Sequence, residues 1–173
     1  MAIIVTGFGR HGKDVVSEYL ALKTGLRFHK STSLFAADVV WEMLKNDPSG
    51  YPDVPSYTTS ADCFADRAQH RPVWAELIAE YNGPDYVGLY REMVKTHDIL
   101  CGIRRIGEMR AVQKYQLADL AIWVDASSRM PDDPTCTITS SDCDFVIDNN
   151  GSLEDLYSAL DNLIPRLQCT PGK

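Results

Sequence analysis

Residues 3–23 read IIVTGFGRHGKDVVSEYLALK, and this stretch decides the fold. The apolar run Ile3-Ile4-Val5 has the length and content of a buried strand. Glycines follow at Gly7, Gly9 and Gly12, then Lys13. After them Val15, Val16, Tyr19, Leu20 and Lys23 recur with a helical period, and Gly25 is placed to end that helix. Gly7-x-x-x-x-Gly12-Lys13 is therefore the core of a phosphate-binding loop between a strand and a helix. Glycines let successive backbone N–H groups curve toward one point. The first helical turn adds unpaired N–H groups and a positive dipole end, and Lys13 adds a point charge. The candidate phosphate contacts are Gly7, Gly9, Arg10, His11, Gly12, Lys13, Asp14 and Val15. The His11 side chain is expected to face solvent. The competing reading is a glycine-rich turn with a solvated Lys13.

The residue after the lysine departs from the usual pattern. Ser or Thr normally stands there and helps to hold Mg2+, whereas this chain has Asp14. A carboxylate can still hold magnesium, directly or through water, and it suits a helix N-terminus.

The chain has 173 residues, enough for one domain with a real core. Its formal net charge of -7 argues against broad nucleic-acid binding, which needs a basic surface. No apolar run approaches a membrane span, and no secretory signal is visible. The five cysteines, Cys63, Cys101, Cys136, Cys143 and Cys169, form no CxxC pair and fit a reducing cytosol. Cys101, inside an apolar segment, reads as a small buried hydrophobe. The histidines have no metal-ligand spacing.

Further along, Ser31-Thr32-Ser33 can cap a helix over Ala36 to Leu44, and Arg27 or Lys30 either meets an anion or lies on the surface. Asn46 to Ser60 reads as a loop. Helices are expected over Ala61 to His70, from Pro72 to Asn82-Gly83, and from Tyr86 to Thr96. HDILCGIR then forms a strand with a nearly continuous apolar run, suited to a central parallel position. Ligands in open α/β sheets bind outside the carboxyl ends of the strands. If this strand is parallel and adjacent to the first, Arg104 arrives at the same edge as the phosphate loop. Its guanidinium fork can grip a second phosphate. The alternative is that Arg104 and Arg105 are a surface pair matched by Glu108, a reading that suits Arg105 more than Arg104. Asp98, at the entering end, is not a catalytic base on this placement.

Gly107 to Tyr115 reads as a helix and Leu120 to Val124 as a strand, with Asp125 at its exit. The polar segment that follows carries Arg129, a candidate for reaching a transferring phosphoryl group from a mobile loop. Phe145-Val146-Ile147 is the last strand. Asn150 or Ser152 can cap the last helix, Leu153 to Leu167, whose final turn contains Pro165. The tail QCTPGK is expected to be loose.

GFGRHGKD, DILCGIRRIGE and SDCDFVIDNNGSLEDL together resemble the phage deoxynucleoside monophosphate kinases, over roughly residues 1 to 165. The resemblance implies an α/β, three-layer P-loop kinase fold with a mostly parallel central sheet. It implies a single domain, with a helical acceptor-binding insertion at about residues 26–96 and a short lid at about 126–142. It also implies transfer of the γ-phosphoryl group of ATP to a deoxynucleoside monophosphate, with Mg2+ as cofactor and small nucleotides as the partners. Lys13 matches the residue that holds the donor phosphates, and Arg104 and Arg129 the remaining catalytic cations. Asn149, Asn150 and Gly151 match the segment near adenine. Arg67, Arg71, Trp74, Arg104, Arg105 and Glu108 are the acceptor candidates, with Trp74 either stacking on a base or packed in the core. Asp14 is the metal candidate, with Asp125 more remote. The setting implied is cytoplasmic, that of the host cell if phage-encoded, and related kinases point to a homodimer that the sequence itself does not establish. A kinase for another small acceptor (a nucleoside or dephospho-coenzyme A) and a non-catalytic nucleotide-binding module remain open alternatives.

Overall fold

The structure is a computed structural model that describes residues 1–168; Cys169 and the rest of the tail expected to be loose lie outside the described residues. The elements run β1 (Ile3–Thr6), α1 (Lys13–Thr24), α2 (Thr32–Asn46), α3 (Ser60–Asp66), α4 (Arg71–Asn82), α5 (Gly88–Met93), β2 (Ile99–Cys101), α6 (Ile106–Lys114), β3 (Leu120–Asp125), β4 (Phe145–Asp148) and α7 (Leu153–Gln168). The four strands form one sheet in the order β2-β1-β3-β4. Every pairing is parallel, with Ile3 opposite Ile99 and Leu120, and Ile122 opposite Phe145.

Side chains alternate across a strand, so each strand feeds two cores. On one face Ile3, Val5, Ile99, Ile122 and Val124 meet Val16 and Leu20 of α1 and Leu156, Leu160, Leu163 and Leu167 of α7. On the other, Ile4, Leu100, Ala121 and Trp123 meet Tyr90 and Met93 of α5 and Met109 and Val112 of α6. Helix layers on both faces of a parallel sheet give the expected three-layer α/β architecture. A third, smaller core joins α2, α3 and α4 through Ala37, Val40, Leu44, Cys63, Trp74 and Leu77. Among the described residues no helix is long and apolar enough to cross a membrane.

Several local signals act as the sequence indicates. Gly25 ends α1 with φ 76°, its N–H donating to the Ala21 carbonyl. Pro72 lies in the first turn of α4. Ser152 and Asp155 cap each other at the start of α7, so the cap is Ser152 rather than Asn150. Other boundaries move. Helix α2 begins at Thr32, and the Ser31 hydroxyl meets Ser33 instead of capping the helix. Helix α5 is shorter than expected. Tyr86 adopts φ 60°, and the Asn82 side chain accepts the Leu89 N–H at 2.9 Å, which extends the turn after Asn82-Gly83 into the start of the helix expected from Tyr86. Strand β2 stops at Cys101 because Gly102 turns out with φ 97°.

Candidate functional site

Parallel pairing delivers the exits of all four strands to one sheet edge. Strand β1 brings the phosphate loop there, and β2, its direct neighbour, brings Arg104. Gly7 has φ 147°, and a Cβ on it would stand 2.5 Å from the Val124 carbonyl oxygen. Gly12 has φ 87°, and a Cβ there would stand 2.4 Å from the Asn149 side-chain nitrogen. Both positions exclude larger residues for a physical reason. Arg10 takes a positive φ of 65° in the same loop.

Lys13 is buried, and its ammonium donates to the Phe8 carbonyl at 2.5 Å. Burial lowers its pKa; Cys101 and Asp14 oppose that shift, while the charge of Arg104 reinforces it. An ammonium held so, near a second cation, gains from an anion placed between them.

His11 corrects an expectation. Its side chain is fully buried rather than facing solvent. Its Nδ1 accepts the Ala126 N–H at 3.0 Å, and the Phe8 ring packs edge-on to it with centroids 5.3 Å apart. The ring thus ties the phosphate loop to the exit of β3.

The segment after β4 holds the loop from the other side. The Asn149 side chain donates to the His11 carbonyl at 2.9 Å, and its backbone N–H donates to the Asp125 carbonyl at 2.6 Å. The Arg129 guanidinium donates to the Asn149 carbonyl. Asn150 accepts the Ser128 N–H at 2.9 Å and donates to Asp125 at 3.2 Å. Gly151 lies where a Cβ would meet the Asp155 carboxylate at 2.7 Å. Residues 149–151 therefore brace the loop and the start of the following segment.

Arg104 is exposed, and its Nη1 lies 3.1 Å from Asp133 and 3.3 Å from Thr135. Arg104 thus pairs with Asp133 rather than with Glu108. Glu108 instead accepts the Tyr90 hydroxyl at 3.1 Å, and burial raises its pKa against the pull of Tyr90 and Arg105. Arg105 is exposed at the start of α6.

The other three acceptor candidates lie in the helical insertion. Arg67 stacks 3.7 Å over the Phe64 ring and donates to the Phe64 carbonyl at 2.7 Å. Arg71 is exposed at the start of α4. Trp74 is only 7% exposed and belongs to the third core, so of its two readings the packed one holds. None of these three makes a hydrogen bond or ion pair with the phosphate loop or Arg104 among the described residues. The insertion does contain a cavity of about 210 Å3 walled by Trp41, Tyr51 and Tyr57, with Lys45 on its lining.

For a divalent ion, Asp14 is the better-fitting carboxylate. It is exposed beside Lys13, and the donor recorded on it is the Cys101 thiol at 3.5 Å. Asp125 is committed: Ser127 holds both its oxygens and Asn150 donates to one of them. Mg2+ characteristically binds one or two carboxylates plus substrate phosphates, and Asp14 suits that arrangement.

Asp133, Thr135 and the clamp by Asn149 had no signal in the sequence. Asp133-Pro134-Thr135 could have been read as a local turn, and Thr135 N–H does donate to Asp133 at 3.0 Å. Nothing in that pattern names Arg104 as its partner. No model of a known protein family matches this sequence, and no curated protein matches it.

Proposed function

We propose that the chain is a deoxynucleoside monophosphate kinase that moves the γ-phosphoryl group of ATP to a dNMP, giving dNDP and ADP. One observation carries the reading: a phosphate loop with its buried lysine and an exposed arginine leave adjacent parallel strands at one sheet edge. Such an edge can hold two phosphates side by side. Phosphoryl transfer needs little covalent help from a protein; it needs two anions aligned and their charge balanced. Lys13 and the loop N–H groups hold the donor phosphates, and Arg104 holds the acceptor phosphate. Arg129 turns from the Asn149 carbonyl toward the transferring group. Asp14 would hold Mg2+ together with the ATP phosphates, and the ion would supply further charge neutralisation. The aromatic walls of the cavity in the insertion suit a planar base.

The direct test is ADP formation from ATP with a panel of deoxynucleoside monophosphates. At least one of them is expected to stimulate turnover. If none does, the kinase reading fails.

A further inference from the structure

The partner of Arg104 is itself informative. Asp133 lies in the segment after β3, and its Oδ2 sits 3.1 Å from Arg104 Nη1. The carboxylate is mostly covered, with 17% of the side chain exposed against 50% for Arg104. Gly9 of the phosphate loop stands on its other side. A Cβ on Gly9 would lie 3.2 Å from the same Oδ2. Its second oxygen accepts the Thr135 hydroxyl at 2.6 Å and the Thr135 N–H at 3.0 Å.

Donations from Thr135 hold the Asp133 carboxyl below the usual range against the cost of burial; the Arg104 charge and the Gly9 amide act in the same direction. Asp133 is therefore an anion at neutral pH. The chain around it is stitched to the exit of β2, with Thr137 N–H donating to the Arg104 carbonyl at 2.8 Å and Ile106 N–H to the Thr137 hydroxyl at 3.0 Å. A guanidinium and the glycine-rich loop backbone at Gly9 meet at one carboxylate oxygen, and both stay at the sheet edge as walls of a phosphate subsite.

We propose that the Asp133 carboxylate stands in for a substrate phosphate: it fills the subsite between Gly9 of the loop and the Arg104 guanidinium, and an incoming phosphate displaces it, freeing residues 133–137 from the sheet edge. The inference rests on reading the loop as a phosphate site. It adds Asp133 as an internal competitor that sets nucleotide affinity and couples phosphate binding to release of the covering segment.

The test compares the full chain with its Asp133→Asn and Asp132→Asn variants by titration calorimetry, using metal-free ATP and inorganic tripolyphosphate. Asp132 is the exposed neighbour, so its variant makes the same change in charge. Asp133→Asn is expected to tighten both ligands about three- to tenfold, with Asp132→Asn shifting them less than about 1.5-fold. Equal tightening by both variants overturns the proposal in favour of a general charge effect. Unchanged or weaker binding by Asp133→Asn, with the unsubstituted chain binding normally, overturns it and leaves the phosphate-loop reading intact. If the unsubstituted chain binds neither ligand, that reading falls and takes the proposal with it. Hydrogen exchange on the unsubstituted chain gives a second check. Tripolyphosphate is expected to speed exchange at the Thr135 and Thr137 amides, and slower or unchanged exchange there overturns the displacement.

Discussion

Arg27 and Arg104 flank the same strand, β2, and are held in opposite ways. At the entering end, Arg27 fills its whole fork: Nε and Nη2 bond Asp98 at 2.9 and 2.7 Å, and Nη1 bonds the Lys95 carbonyl at 2.9 Å. The two backbones are tied as well, with Asp98 N–H donating to the Arg27 carbonyl at 2.8 Å. At the leaving end, Arg104, exposed to nearly the same degree as Arg27 (50% against 47%), uses a single nitrogen on Asp133 and Thr135. One residue type thus does two jobs. A filled fork fixes a connection, whereas a fork with open donors can exchange partners.

The sharpest way to break this contrast is at the loop. Lys13→Ala is expected to lower turnover about 100- to 1000-fold, measured as ADP formation with the preferred acceptor. Arg104→Ala comes next, with an expected loss of about 100-fold in kcat/KM. Arg104 is half exposed and Asp133 keeps its Thr135 donors, so the pair contributes little to folding and urea denaturation should show a change within about 1 kcal/mol. A large loss of stability there would make Arg104 a second Arg27.

Asn149→Ala leaves the His11 carbonyl without its side-chain donor and is expected to destabilise the fold by about 1–3 kcal/mol, measured by chemical denaturation. A greater loss of ATP affinity than of stability would sharpen its role as the loop's clamp.

The smallest effect is at the opposite edge. Arg27 holds the Asp98 carboxyl down to about 2. A depressed carboxylate stabilises the fold above its ordinary pKa and loses that contribution as pH falls toward the folded value. Asp98→Asn is thus expected to cost about 1–2 kcal/mol at pH 7, after allowing for partial exposure of the pair, with activity retained. The difference from the unsubstituted chain should shrink as pH drops from about 4 toward 2, followed by denaturation at each pH.

The legible parts of this molecule are local or follow from strand direction. Strand β1, the loop and α1 are contiguous, so spacing alone defines them. The position of Arg104 follows once β2 is parallel and adjacent to β1. The illegible parts depend on side chains from irregular segments. His11 looks polar and solvent-bound until the backbone after β3 supplies an N–H to its ring. Trp74 and a base-stacking tryptophan look the same in sequence, and only the packing of α2, α3 and α4 separates them. Asp133 reaches Arg104 across an irregular segment, where periodicity carries no information about partners.

The clamp between Asn149 and His11 also has a consequence for the order in which the chain is made. The loop leaves the ribosome before β4, but the side chain that fixes its His11 carbonyl comes only after β4. A nascent chain ending before residue 149 carries every glycine of the loop and Lys13, yet lacks the group that holds them in shape. The shape of the loop is thus fixed only once β4 has docked.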